Sequence, residues 1–472
     1  MDMLLKNGYF KGTPFHNSTS NEVQSGFWYG WGDFIIPDVY SSMHEELKAI
    51  RQTAAIIDMS PLPKMSISGL DATKLLDKLM TRNISSLSVQ RCIYSPWCNE
   101  QGLMIGDGLI FRLSSDSYLV VGENSTSWFQ SNVNDMCVQV LDKTSEYGVL
   151  SIQGPRSSEI LSAVIGDDWE ELSFSGVAFH KIAGVDVFIA RQGFTGERGY
   201  EIWTPSIGGN SVRLKLLQVG KKFGALPAGE YAVDIARIEA GLILVSADYT
   251  GAGPDEKTAN VAVDQKLTIS PIEAGLGKLI EYESERNFIG QSSLIKSRDI
   301  KDQNCFLGLI INIEDIVRIS LLAKRPDEML SRVYWGSTKI YYEDSIIGRA
   351  SSICWSPTLN NAVAFCFVNQ LTINVGDDVQ VELLSTDGTL IGLAAARVVD
   401  LPFIKIKRSE TKCFMNFLLY LAFVQIVILS FGKNVEYFYN RIGRQLLVGS
   451  SWFLKVIFLR NVHVFPRCIE KV

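Results

Sequence analysis

The sequence predicts an α+β protein that closes with a small β-barrel or β-sandwich domain and then runs into an apolar tail. Three observations carry this. A chain of 472 residues exceeds what one hydrophobic core organises, so more than one domain is expected. The order strand, glycine-containing turn, amphipathic helix occurs twice, at MSISGLDATKLLDKLM and at GVLSIQGPRSSEILSAV, which reads as two related α+β units. Beyond about residue 300 the pattern becomes short alternating strands with polar turns, ending near residue 405.

Residues 1–40 carry GTPFH, FWYGWGDF and IIPDVY, an arm with several aromatic anchors. Met43, Leu47, Ile50 and Ala54 then recur at helical spacing, with Ser41 or Ser42 as the N-cap. MSISG alternates as a strand, and Asp71 is placed to cap a helix whose apolar stripe is Leu75, Leu76, Leu79 and Met80. CIYSPWC, the turn NEQG, LMIGDGLIFRL and SYLVVG read as strands joined by tight turns. GVAFHKI and VDVFIARQGFTGERGYEIW supply further strands around a glycine-rich turn. Helices are expected at 211–224 and 229–244, and the loop TGAGPDEKTAN separates them from SPIEAGLGKLI. The expected divisions are an arm at 1–40, the two α+β units at 41–300, a β-barrel domain at 301–407 and the tail at 408–472.

Composition excludes several classes of function. Hydrophobic residues at 47% and charged residues at 20% rule out wholesale disorder. A net charge of −6 gives no general attraction for phosphate backbones, so nucleic acid is not expected as a partner. The cysteines are scattered without a CxxC pair and the histidines are dispersed, so neither a disulfide framework nor a metal site is expected. The first residues lack a signal peptide's basic and apolar regions, which points to a cytoplasmic protein. No GxGxxG follows an early strand, and neither a phosphate loop nor GxSxG occurs. In the tail, Cys413 to Gly432 reads CFMNFLLYLAFVQIVILSFG, with no formal charge. As a helix it would span about 30 Å, making it a candidate membrane anchor.

The ordered set YSPWCNEQGLMIGDGLIFRL, SIQGPRS, GFTGERGYEIW, ARIEAGL, SPIEAGLGKLI, NFIGQSSL and RASSICWSPTLNNAVAF resembles the glycine-cleavage T-protein family, the folate-dependent aminomethyltransferases. The likeness runs from about residue 40 to 405. GTPFH, SPLPK and the GDGLIF variant look closer to branches that act as tetrahydrofolate-dependent demethylases on sulfonium or aryl methyl ether substrates. The resemblance implies a three-domain, cloverleaf-like, folate-binding fold around a central channel, with tetrahydrofolate as cofactor. It also implies transfer of a methyl or aminomethyl group from a small-molecule donor. The alternatives are a non-catalytic folate-binding paralogue and a membrane-associated scaffold.

The same resemblance distributes roles among residues. Glu197, in TGERGYE, matches the glutamate that holds the pteridine. A carboxylate suits that task, because a pteridine presents an N–H and an amine side by side, a donor pair worth roughly 1.5–3 kcal/mol to a charged acceptor. Gly193, Gly196 and Gly199 would let backbone approach the ring. Tyr94 matches a folate-contacting tyrosine and offers a flat face. The family pattern has two adjacent aspartates where this chain has Gly106 and Asp107, the first being the one near the reacting nitrogen. Asp107 is then the candidate catalytic acid or base, and its neighbour's absence puts aminomethyl transfer in question. Arg237 in ARIEAG is a candidate cofactor contact, whereas two further family arginines are replaced by Val233 and Asn374. Each residue also has a plain reading: a turn glutamate, a strand tyrosine, a strand-edge aspartate, and an arginine paired with Asp234 or Glu239.

Overall fold

The computed structural model describes residues 8–253, 267–283, 285–325, 330, 332–385 and 387–409. Among these residues the strands form three large sheets and a small one in the arm. The arm sheet pairs Lys11–Gly12 and Trp28–Trp31 with Phe34–Pro37.

The second α+β unit is built on a six-stranded sheet ordered Val177–Ile182, Val185–Ala190, Gly199–Pro205, Tyr147–Gln153, Ala54–Asp58 and Ala225–Ala228. Its last strand runs parallel to Ala54–Asp58, and the other neighbours are antiparallel. Helices Ser157–Ile165 and Gly209–Gly220 cover one face, where Ile160, Leu161, Val212 and Leu216 meet Ile56, Leu150, Ile152 and Ile202.

The first unit is a five-stranded sheet ordered Arg91–Cys98, Met104–Arg112, Ser117–Gly122, Lys64–Ser68 and Gln139–Asp142. Alternation along Ser117–Gly122 divides its side chains between two cores. Tyr118 and Val120 pack under helix Ala72–Leu79, while Leu119 and Val121 face the other way. In both MSISGLDATKLLDKLM and GVLSIQGPRSSEILSAV a strand runs through a glycine turn into a helix that covers its own sheet. One detail differs. Asp71 does not cap its helix; its Oδ2 accepts from the Cys137 amide at 2.8 Å and ties down the loop before Gln139–Asp142. Ser42 does cap helix Met43–Gln52, accepting from the Glu45 amide.

The C-terminal part is a closed barrel, not a sandwich, because Asn304–Ile311 pairs with both Asn361–Asn369 and Leu390–Val399. Helix Ile313–Leu322, which the strand pattern did not suggest, packs Ile316 and Ile319 into the barrel core, and Asn312 caps it.

The faces left uncovered by these layers share one further core. It joins Ile57, Val149 and Trp203 of the first-described sheet to Phe111 and Val121 of the second, Val233 of helix Glu230–Glu239, and Val363 and Phe365 of the barrel. Phe188 stacks on Trp203 with centroids 5.2 Å apart. Large side chains buried this way are each worth about 3–5 kcal/mol against alanine. The site is assembled around this common core.

Met1–Ser409 forms one compact unit. Among the described residues no helix is long and apolar enough to cross a membrane. The Cys413–Gly432 run lies outside the described residues.

Candidate active site

The TGERGYE turn links strands Val185–Ala190 and Gly199–Pro205 and carries Glu197 into the interior, where it is 2% exposed. Its glycines serve a purpose the sequence did not suggest. A Cβ on Gly193 or Gly199 would fall 2.1 or 2.0 Å from the Gln153 amide. That amide threads the turn, donating to the Gln192 carbonyl at 3.1 Å and accepting from the Thr195 hydroxyl at 2.8 Å. These two glycines make room for Gln153 and not for a ring. Gly196 adopts φ +78, a conformation that favours glycine, and lies against Ala240.

Two cations meet Glu197 on the same oxygen: Arg51 Nη1 and Lys407 Nζ each lie 3.4 Å from Oε1. Arg51 also donates to Glu239 Oε2 at 2.6 Å, the Thr195 carbonyl at 2.6 Å and the Ala236 carbonyl at 3.0 Å, which fixes its guanidinium. Oε2 of Glu197 is buried without a hydrogen-bond partner. A half-satisfied buried carboxylate costs about 1–3 kcal/mol, and a ligand donor would recover that energy.

The second cluster centres on Asp107. The Tyr249 hydroxyl donates to its Oδ2 at 2.7 Å, and the Tyr94 hydroxyl bonds the same carboxylate. Burial pushes Asp107 up from an ordinary 3.8 to about 6, against the pull of both tyrosines and with a further push from Asp248. Burial and the charge of Asp107 hold both phenols well above their usual range, so the protons stay on the tyrosines. Asp107 is thus the group in this cluster that changes charge close to neutrality.

Gly106 looks the other way. A Cβ there would fall 2.7 Å from Glu123 Cβ and 2.9 Å from the Trp97 ring. An acid at this position would point toward Glu123 and Trp97 and not toward Tyr94. The acid that does face it is present.

Two family models match this chain: the GCVT N-terminal domain over residues 19–284, and the glycine cleavage T-protein C-terminal barrel domain over residues 318–405. The chain belongs to the glycine-cleavage T-protein family. It is 28% identical over 379 residues to an aminomethyltransferase of Pseudothermotoga lettingae, covering 79% of this chain and 92% of that one. The aminomethyltransferase of Moorella thermoacetica is 29% identical over 378 residues, with the same coverage of each chain. The crystal structure of the glycine cleavage system aminomethyltransferase T from Bartonella henselae superposes with a TM-score of 0.68 at 22% identity, over 84% of this chain and 99% of that one, which shows the shared fold.

Aminomethyltransferases of this family use tetrahydrofolate. The residues present fit that cofactor on one independent observation, the orphaned Oε2 of Glu197, which needs a donor.

Arg237 makes the pair with Asp234 that its plain reading gave. Its nitrogens donate to Asp234 at 2.8 Å, Asp248 at 2.6 Å and Ser352 at 2.7 Å, and the residue has no exposed surface. Burial alone would weaken its hold on the proton, but Asp248 and Asp234 outweigh it and raise the pKa. Its donors thus go to protein groups, and it fixes Asp248, the neighbour of Tyr249, to the barrel serines Ser351 and Ser352. Val233 lies in the common core. Asn374 sits on a barrel turn, its amide bonded to Asp377.

Several site residues were missed in sequence. Arg51 stands four residues after Leu47, inside the apolar stripe of its helix, and a charge at such a place signals a buried ion pair. Ile404 and Ile406 alternate with Lys405 and Lys407, an edge-strand pattern. Asp248 and Tyr249 follow the helix without any local motif.

Proposed function

We propose that this chain is a tetrahydrofolate-dependent transferase that moves a methyl or aminomethyl group from a small-molecule donor. The observation that carries the proposal is the pairing, in one compact unit, of a buried carboxylate with an open oxygen and a half-buried aspartate poised near neutrality. Glu197 takes the paired donors of the pteridine, held in place by Arg51 and Lys407. Tyr94 offers its ring face. Bound tetrahydrofolate supplies the nucleophilic nitrogen. Asp107, as the carboxylate, accepts the proton lost there, and the Tyr249 hydroxyl keeps it oriented. Arg237 acts as a positioning residue, through Asp248 and Tyr249. Holding donor and acceptor together contributes several kcal/mol, about 7–11 in well-oriented cases.

The catalytic reading is supported over the non-catalytic alternative by Asp107, which bonds Tyr249 and Tyr94 although Gly106 carries no acid. The GTPFH and SPLPK segments favour a methyl donor, and the aminomethyltransferase relatives favour an aminomethyl donor. Calorimetry with tetrahydrofolate, followed by turnover against a panel of methylated and aminomethylated donors, tests the reading. Binding without turnover on any donor would reinstate the non-catalytic paralogue, and absence of binding would refute the proposal.

A further inference from the structure

The last described stretch leaves the barrel and crosses to the folate-side turn. The Ile404 amide donates to the Glu239 carbonyl at 3.2 Å, and the Lys407 and Arg408 amides donate to the Gly196 carbonyl at 2.8 and 3.0 Å. Ile406 packs against Gly196, and Arg191 donates to the Arg408 carbonyl at 3.4 Å. This strap is therefore fixed by backbone on the residue before Glu197. Lys407 reaches Glu197 itself. The Arg408 guanidinium lies 5.8 Å from the Phe174 ring and close enough to Tyr94 for their charges to interact. Among the described residues it makes no ion pair with a carboxylate, and burial lowers its pKa. A half-buried guanidinium without a counter-ion is a poor structural element and a good acceptor-binding one.

The chemistry of the pteridine says what acceptor. Along one edge the ring presents the 2-amino group, N3–H, the 4-oxo oxygen and then N5. If Glu197 takes the first two and Asp107 with Tyr94 stands at N5, the 4-oxo oxygen falls between them. Left unpaired there, it would weaken binding. Arg408 is anchored beside Glu197 and extends toward Tyr94, the interval in question.

We propose that Arg408 is a cofactor-binding residue that donates to the 4-oxo oxygen of the pteridine, with Lys407 positioning Glu197. This rests on the folate reading above. The probes are 5-formyltetrahydrofolate, which has the 4-oxo oxygen, and a 2,4-diaminopteridine antifolate, which carries a donor in its place. Affinities are measured by calorimetry for the full chain, Arg408→Met and Glu197→Gln, with thermal unfolding confirming that each variant folds.

The wild type should prefer the 4-oxo ligand, and Arg408→Met should reduce that preference at least tenfold by weakening the 4-oxo ligand selectively. Glu197→Gln should weaken both. If Arg408→Met weakens both ligands equally, or neither, Arg408 serves structure alone and the inference falls while the folate reading stands. If the wild type binds neither ligand, both fall. Should Arg408→Met not fold, Arg408→Gln keeps the test open: it removes the charge and shortens the side chain while staying polar, so it should lose most of the preference, and an unchanged preference in a folded variant would overturn the role of a donor at this position.

Discussion

Asp107→Asn separates the proposed proton acceptor from a merely structural carboxylate. In the folded chain Asp107 titrates at about 6, and in the unfolded chain near 3.8. Between these values the folded state binds more protons than the unfolded state, so stability falls as pH rises through the window and levels off above it. The shift of about two units corresponds to roughly 3 kcal/mol of destabilisation, fully present above pH 6 and absent below pH 3.8. Asparagine removes that penalty and exchanges the charged hydrogen bonds from Tyr249 and Tyr94 for weaker neutral ones, a difference of about 1 kcal/mol. The variant should therefore be about 2 kcal/mol more stable than wild type at pH 7.5, with the gap closing as pH drops below 6. Urea unfolding at pH 7.5, 6 and 4.5 measures this directly. Turnover should move the opposite way. Wild-type kcat/KM should rise with pH through about 6, and Asp107→Asn should lower it 10²–10⁴-fold and flatten that limb. Equal pH dependence of stability in the two proteins would show that Asp107 is not the buried titrating group. A variant that is less stable at pH 7.5 would show that its hydrogen bonds outweigh its desolvation.

Further outcomes follow from the same geometry. Glu197→Ala should weaken tetrahydrofolate by about 1.5–3 kcal/mol, roughly 12- to 150-fold in Kd by calorimetry. Gly106→Asp should lower stability by about 1–3 kcal/mol or more, because the side chain collides with Trp97 and Glu123, and aminomethyl transfer should not increase in a coupled assay. Arg237→Met leaves Asp234 and Asp248 facing each other without their cation, and denaturant unfolding should register a loss of about 3–5 kcal/mol. A chain ending at Ser409 should bind folate within about twofold of the full chain by calorimetry, because Met1–Ser409 is one compact unit, whereas one ending at Phe403 should not bind it.

The layers of this fold were legible because their patterns are local. Alternation placed Tyr118 and Val120 opposite Leu119 and Val121, and the stripe of Leu75, Leu76 and Leu79 pointed one helix at one sheet. The strand pattern left barrel and sandwich both open, and the choice between them rests on Asn304–Ile311 accepting a second partner from the far end of the domain. The site divided along the same line. Glu197 and Tyr94 stand in short motifs with a recognisable order. Arg51, Tyr249 and Lys407 reach the site only through tertiary contacts, and nothing in their own neighbourhoods announces them. The glycines of the turn show how a correct motif can carry a wrong reason: two of them answer to Gln153, about forty residues upstream, and no one-dimensional pattern pairs those positions.

The strap gives the site an order of birth. Glu197 and Lys407 are separated by 210 positions. At about 5–20 residues per second, a ribosome needs roughly 10–40 s to travel from one to the other. For that interval the turn exists, its sheet can form, and the glutamate lacks one of its two cations. A nascent chain halted anywhere in the barrel would carry most of the recognisable motifs of its family and still have an unfinished pocket. If Lys407 and Arg408 act as proposed, a stop just before them would leave a normal-looking body with a weakened hold on its cofactor.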